Sequence, residues 1–179
     1  MVATAILHKS HRVFDAIDED GNGVITADDF ERIAERLVRS FDEASPAAAE
    51  VRNTYTKCWQ RLAELADSDG DGQVTKQEFE TAFADAQQNR FMQVIDEALD
   101  AEFNLADADG DGVLSRDEVS RMLRAYGVPQ SDMNQAVAGL DQDGDGQVSR
   151  TEYRTAMREY YLSDDPAAPS TPIFGRIRG

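Results

Sequence analysis

The sequence predicts an all-α fold of four helix–loop–helix units in two pairs, with a short two-stranded β link between paired loops, in a compact body. Three observations predict it. A twelve-residue string recurs four times, as DEDGNGVITADD, DSDGDGQVTKQE, DADGDGVLSRDE and DQDGDGQVSRTE, starting at Asp18, Asp67, Asp107 and Asp141. The stretches between the strings carry apolar residues at helical spacing. The starts lie 49, 40 and 34 residues apart, so the repeat is not a solenoid of fixed period.

The helices follow in order. Phe30, Ile33, Ala34, Leu37, Val38 and Phe41 form an i, i+3, i+4 stripe after the first loop. Ser45 before Pro46 reads as an N-cap with proline at the first helical position. Val51, Tyr55, Cys58, Trp59 and Leu62 carry that helix towards the second loop, and Met92, Ile95, Leu99 and Phe103 lead into the third. Gly127 and Pro129 end a helix, and Ser131 is expected to cap the next. Tyr153, Ala156, Met157, Tyr160 and Tyr161 form the last stripe. Loops 1 and 2 are joined by 37 residues and loops 3 and 4 by 22, so the first join has room for longer helices or an extra turn. The expected organisation is an N-terminal pair over residues 1–89, a C-terminal pair over 90–162, and an irregular Pro- and Gly-rich tail over 163–179.

Charge narrows the function. The chain has 179 residues and a net charge of −17, which argues against nucleic acid or an anionic membrane as partner. Eighteen of the 35 acidic residues fall inside the four loops, so the acidity is mainly a metal inventory. The single cysteine, Cys58, excludes a disulfide framework within the chain. The N-terminal residues lack the apolar core of a signal peptide, and no apolar run approaches membrane-spanning length, so the expected compartment is the cytoplasm.

The loops match the EF-hand template, in which positions 1, 3, 5, 7, 9 and 12 offer oxygen to a hard cation. In loop 2, Asp67, Asp69 and Asp71 supply positions 1, 3 and 5, Gly72 makes the turn, Gln73 offers its carbonyl, and Glu78 is long enough to grip with both oxygens. Loop 3 repeats this with Asp107, Asp109, Asp111, Val113 and Glu118, and loop 4 with Asp141, Asp143, Asp145, Gln147 and Glu152. Loop 1 offers Asp18, Asp20, Asn22 and Val24 but closes with Asp29, one methylene shorter than Glu. Lower coordination suits the smaller Mg²⁺ relatively better, so this loop is expected to be the least calcium-selective. Position 8 is Ile25, Val74, Leu114 or Val148, apolar branched residues suited to a β link between partner loops. A single Asp-rich string also occurs in dockerin-like modules, β-propeller loops and aspartate-nucleophile phosphatases. Four full loops flanked by helical stripes fit none of these.

With these features the chain resembles the sarcoplasmic calcium-binding proteins, with their bacterial relatives such as calerythrin and the neuronal calexcitins. The closing Asp29–Phe30, the wide spacing of loops 1 and 2, and the apolar Pro172–Ile173–Phe174–Gly175 element carry the resemblance. It implies two EF-hand pairs packed together without a long exposed linker, a tail folded over the body, and calcium buffering. Many such proteins have lost a loop, often the second. Here loop 2 is intact, so up to four Ca²⁺ are expected, with Mg²⁺ competing at the loop that starts at Asp18.

The remaining residues have plainer readings. His8 and His11 read as surface residues rather than a transition-metal site. Cys58, Trp59, Met92, Met122, Met133 and Met157 read as core. Arg176 and Arg178 read as a solvated tail or partners of the acidic body. No catalytic constellation stands out, so no enzyme is expected. The leading expectation is a monomeric calcium buffer. A sensor that docks a protein target comes second, and a photoprotein-like ligand carrier or calcium-regulated enzyme last.

Overall fold

The computed structural model describes residues 10–11, 13–84 and 88–162. A helical segment over residues 13–17 (α1) leads into loop 1. Then come β1 (Val24–Ile25), α2 (Ala27–Val38), α3 (Pro46–Ala66), β2 (Val74–Thr75), α4 (Lys76–Ala84) and α5 (Gln88–Ala106). The chain continues through β3 (Val113–Ser115), α6 (Arg116–Ala125), α7 (Met133–Leu140), β4 (Gln147–Ser149) and α8 (Arg150–Leu162).

Local chemistry sets most boundaries. The Ser45 side chain accepts from the Ala48 N–H at 3.1 Å, with Pro46 opening α3 as expected. Gly127 (φ 81°) ends α6: its N–H donates to the Arg124 carbonyl while the Val128 N–H reaches back to Leu123, a Schellman closure. The expected Ser131 cap is not formed. α7 begins at Met133, Asp132 precedes it with helical dihedrals and no capping bond, and the Ser131 hydroxyl donates to Asp132 Oδ1 at 2.9 Å. The Pro129 carbonyl already turns the chain by accepting the Asp132 N–H, which carries Ser131 past the capping position.

The β links lie where the apolar position-8 residues placed them. Ile25 faces Val74 in the antiparallel β1–β2 pair, and Leu114 faces Val148 in β3–β4. The helical stripes meet in one core that draws on both halves of the chain. α3 packs on α5 and on α2, so the entering helices of loops 2 and 3 lie against each other. Phe14 meets Phe79 edge to face at 5.7 Å, Phe30 lies 6.1 Å from Trp59, and Phe103 lies 6.2 Å from Tyr153. Cys58 is a core thiol, pushed up to about 12 by burial, with the carboxylates of Glu102 and Glu97 adding to the shift. Met122, Met133 and Met157 are buried, and Trp59 is half-buried. The side chains of Met92 and Tyr161, His8, and the tail with Ile173, Phe174, Arg176 and Arg178 lie outside the described residues. Among the described residues, no helix is long and apolar enough to cross a membrane.

Candidate metal sites

Each loop is built by turns that its own aspartates make. The position-6 glycine donates its N–H to the position-1 carboxylate: Gly23 to Asp18 at 3.0 Å, Gly72 to Asp67 at 3.0 Å, Gly112 to Asp107 at 3.1 Å and Gly146 to Asp141 at 3.0 Å. These glycines have φ between 80° and 89°, a conformation in which a side chain is strained even where space is open. The position-3 acid accepts the N–H two residues on, as Asp69 does from Asp71 and Asp143 from Asp145. Position 5 repeats the pattern, with Asn22 accepting from Val24 and Asp111 from Val113. In each case the side-chain oxygen Oδ1 is held by the backbone N–H two residues on, which fixes the side chain in the loop.

The position-12 acid closes each loop while capping the exiting helix. Ser115 and Glu118 form a capping box at the start of α6: the Ser115 N–H and hydroxyl donate to Glu118 Oε2 at 2.8 and 2.7 Å. Ser149 and Glu152 repeat it at 2.8 and 2.7 Å. The other oxygen of Glu118 accepts the Ala108 N–H from position 2 at 2.9 Å. Burial opposes ionisation of Glu118, and the bonds from Ser115 and Ala108 outweigh it, so its carboxyl lies below the ordinary range. The Thr75 N–H and hydroxyl, then Ser68, hold Glu78 lower still, at about 2.

Carboxylates converge in all four loops. Asp18, Asp20 and Asp29 bring oxygens within 4.8 Å of one another, and so do Asp67, Asp69 and Asp71; Asp107, Asp109 and Glu118; and Asp141, Asp143 and Glu152. Oxygens on opposite sides of a bound ion stand about 4.0–5.2 Å apart for Mg²⁺ or Ca²⁺, so each set is close enough to share one divalent cation. The donors are all hard oxygens, which excludes a thiolate- or imidazole-based site.

The loops are not equivalent. Asp29 is 1% exposed and reaches the Asp18–Asp20 set despite its shorter chain, accepting the Glu19 N–H at 3.1 Å and the Thr26 N–H at 2.8 Å. Loop 1 also carries its own cations: Arg32 Nη1 lies 2.6 Å from Asp20 Oδ2, and Arg36 pairs with Glu19. The Arg32 guanidinium holds the Asp20 carboxyl below its ordinary value. In loop 2 the converging set is the three aspartates, without Glu78. There the Ser68 hydroxyl at position 2 donates to Glu78 Oε1 at 2.8 Å, a bond that Glu19, Ala108 and Gln142 do not make in the other loops. Sequence reasoning passed over Ser68, Arg32 and Arg36. Position 2 lies outside the ligand template, and the arginines act from the following helix. A serine at position 2 was the available signal for Ser68.

The comparisons agree with this geometry. The EF-hand domain pair model matches residues 8–84 and 96–158. Calerythrin of Saccharopolyspora erythraea is 27% identical over 134 residues, 72% of this chain and 76% of calerythrin. A Streptomyces coelicolor calcium-binding protein, described in connection with prokaryotic calcium-mediated regulation, is 34% identical with a TM-score of 0.74; the match covers 89% of this chain and 99% of that one. Calcium-loaded apo-aequorin from Aequorea victoria has a TM-score of 0.69 at 19% identity, covering 92% of this chain and 94% of that one, a likeness of fold alone.

Proposed function

This chain belongs to the EF-hand family as a calerythrin-like calcium-binding protein, and from that premise we propose that it is an intracellular calcium buffer. The proposed ligands are Asp18, Asp20, Asn22, the Val24 carbonyl and Asp29; Asp67, Asp69, Asp71, the Gln73 carbonyl and Glu78; Asp107, Asp109, Asp111, the Val113 carbonyl and Glu118; and Asp141, Asp143, Asp145, the Gln147 carbonyl and Glu152. Up to four ions are taken, with Mg²⁺ competing at loop 1.

One observation carries the buffer reading. Met122, Met133 and Met157, the side-chain type that sensors display in a target groove, are 1%, 3% and 1% exposed in a core shared by both halves of the chain. These methionines are committed to packing, as in a buffer, and a sensor would have to open this core on binding calcium. The second reading, a sensor, is favoured by the likeness to the S. coelicolor protein, which is described in terms of calcium-mediated regulation.

Calorimetric calcium titration with and without millimolar Mg²⁺, paired with binding of a hydrophobic dye, tests both readings. Calcium heats without a rise in dye binding support the buffer. A calcium-dependent rise in dye binding supports the sensor. Absence of any calcium heat overturns calcium binding itself.

A further inference from the structure

Glu102 breaks the apolar face of α5. It follows Leu99 by three residues and precedes Phe103, both sealed in the core, and is itself 4% exposed. The other buried carboxylates among the described residues, Asp18, Asp29 and Glu118, belong to the loops. A carboxylate in such a place costs several kcal/mol unless donors surround it. Glu102 has them from three separate elements. The Tyr55 hydroxyl on α3 donates to Oε1, the Tyr153 hydroxyl on α8 donates to Oε2 at 2.5 Å, and Tyr126, just past α6, supplies a third bond. From α2, the positive charge of Arg36 also acts on Glu102, and Arg36 is itself paired with Glu19 of loop 1.

The donors are placed unequally with respect to the loops. Tyr153 directly follows Glu152, the position-12 acid of loop 4, within the first turn of α8. Tyr55 lies on the helix that enters loop 2, in the other half of the chain. Tyr153 is joined to Glu152 within one turn of α8, so any adjustment of Glu152 on binding an ion is passed to the Tyr153 hydroxyl. Tyr153 and Tyr55 hold the two oxygens of one carboxylate, so a shift at one re-aims the other. In a low-dielectric core such shared bonds reinforce one another.

We propose that Glu102 is a positioning residue that couples the two EF-hand pairs, carrying the state of loop 4 from Tyr153 to Tyr55 and so to the entering helix of loop 2. The coupling rests on the calcium reading above and makes the affinities of loops 2 and 4 interdependent, each affecting the other by the same factor.

The test follows the backbone amide of Gly72, at position 6 of loop 2, by NMR during calcium titration of the full chain. Glu152→Gln disables loop 4. In the parent protein it should weaken loop 2 about fivefold or more, the usual lower bound for coupled sites. In a Tyr55→Phe background, which removes one oxygen and keeps the ring beside Phe30, the same change should weaken loop 2 less than about twofold. Glu102→Gln, which keeps the side-chain shape, should abolish the effect as well and replaces Tyr55→Phe should that variant fail to fold. An unaltered loop 2 in the parent carrying Glu152→Gln, or an equal effect in every background, overturns the coupling. A Gly72 amide that ignores calcium in the unmodified protein instead overturns the calcium reading at loop 2.

Discussion

Leu114 stands directly across the β3–β4 ladder from Val148, and the two are 0% and 1% exposed. Their backbones join loop 3 to loop 4, and their side chains root both loops in the core. Leu114→Ala should destabilise the protein by about 2–4 kcal/mol, as large-to-small core changes do. It should also weaken loops 3 and 4 together while leaving loops 1 and 2 nearer their original affinities. Denaturant melts and site-resolved titration check both outcomes.

Ser68 sets loop 2 apart. Its hydroxyl adds a fourth donor to Glu78, beside the Ser68 N–H and the N–H and hydroxyl of Thr75. That bond competes with metal for the position-12 oxygen. Ser68→Ala should tighten calcium at loop 2 by about threefold, the modest net value of one exposed hydrogen bond. An unchanged affinity would show that the hydroxyl moves aside without cost.

Asp29 reaches its loop's oxygens but has less span than Glu. Asp29→Glu should raise the calcium-to-magnesium preference of loop 1 about tenfold, some 1.4 kcal/mol for a second ligand oxygen. The measurement is calcium titration at fixed Mg²⁺ with the other three loops disabled. Comparable discrimination in parent and variant would remove the distinction drawn for loop 1.

Burial raises the Glu102 carboxyl above its usual 4.5, with the tyrosine hydroxyls and Arg36 opposing the shift. The folded protein therefore keeps that proton at pH values where the unfolded chain has released it. The stability it contributes is fully present below the unfolded value and is lost as pH rises through the folded one. Glu102→Gln cannot titrate. The stability of the variant relative to the parent should climb over this window, above about pH 4.5, when chemical melts are run in chelator. A constant difference across pH would show that Glu102 titrates normally.

Metal removal should loosen the protein, because the like charges within each of the four clusters then face one another unscreened. Each loop saturated at a hundred times its dissociation constant contributes about 2.7 kcal/mol. Thermal melts with calcium and with chelator should differ by many degrees, and equal melting temperatures would contradict metal-linked stability.

Much of this protein was legible in its sequence because its sites are local. Every bond between a loop's backbone and its own carboxylates joins residues no more than ten apart, as between Ala108 and Glu118, so a twelve-residue string encodes its own turns, glycine conformation and capping acid. The apolar residues at position 8 likewise marked the β partners. A short-range rule failed at Ser131, where two of them competed. What the tertiary structure alone decided lies between distant segments. The packing of α3 on α5 and the Arg36 charge near Glu102 are of this kind, and Tyr55 and Tyr153 meet on the Glu102 carboxylate from 47 and 51 positions away. In the sequence Glu102 is one more acid in an acidic chain. Only folding encloses it, and enclosure turns an ordinary carboxylate into a costly charge that three tyrosines must satisfy.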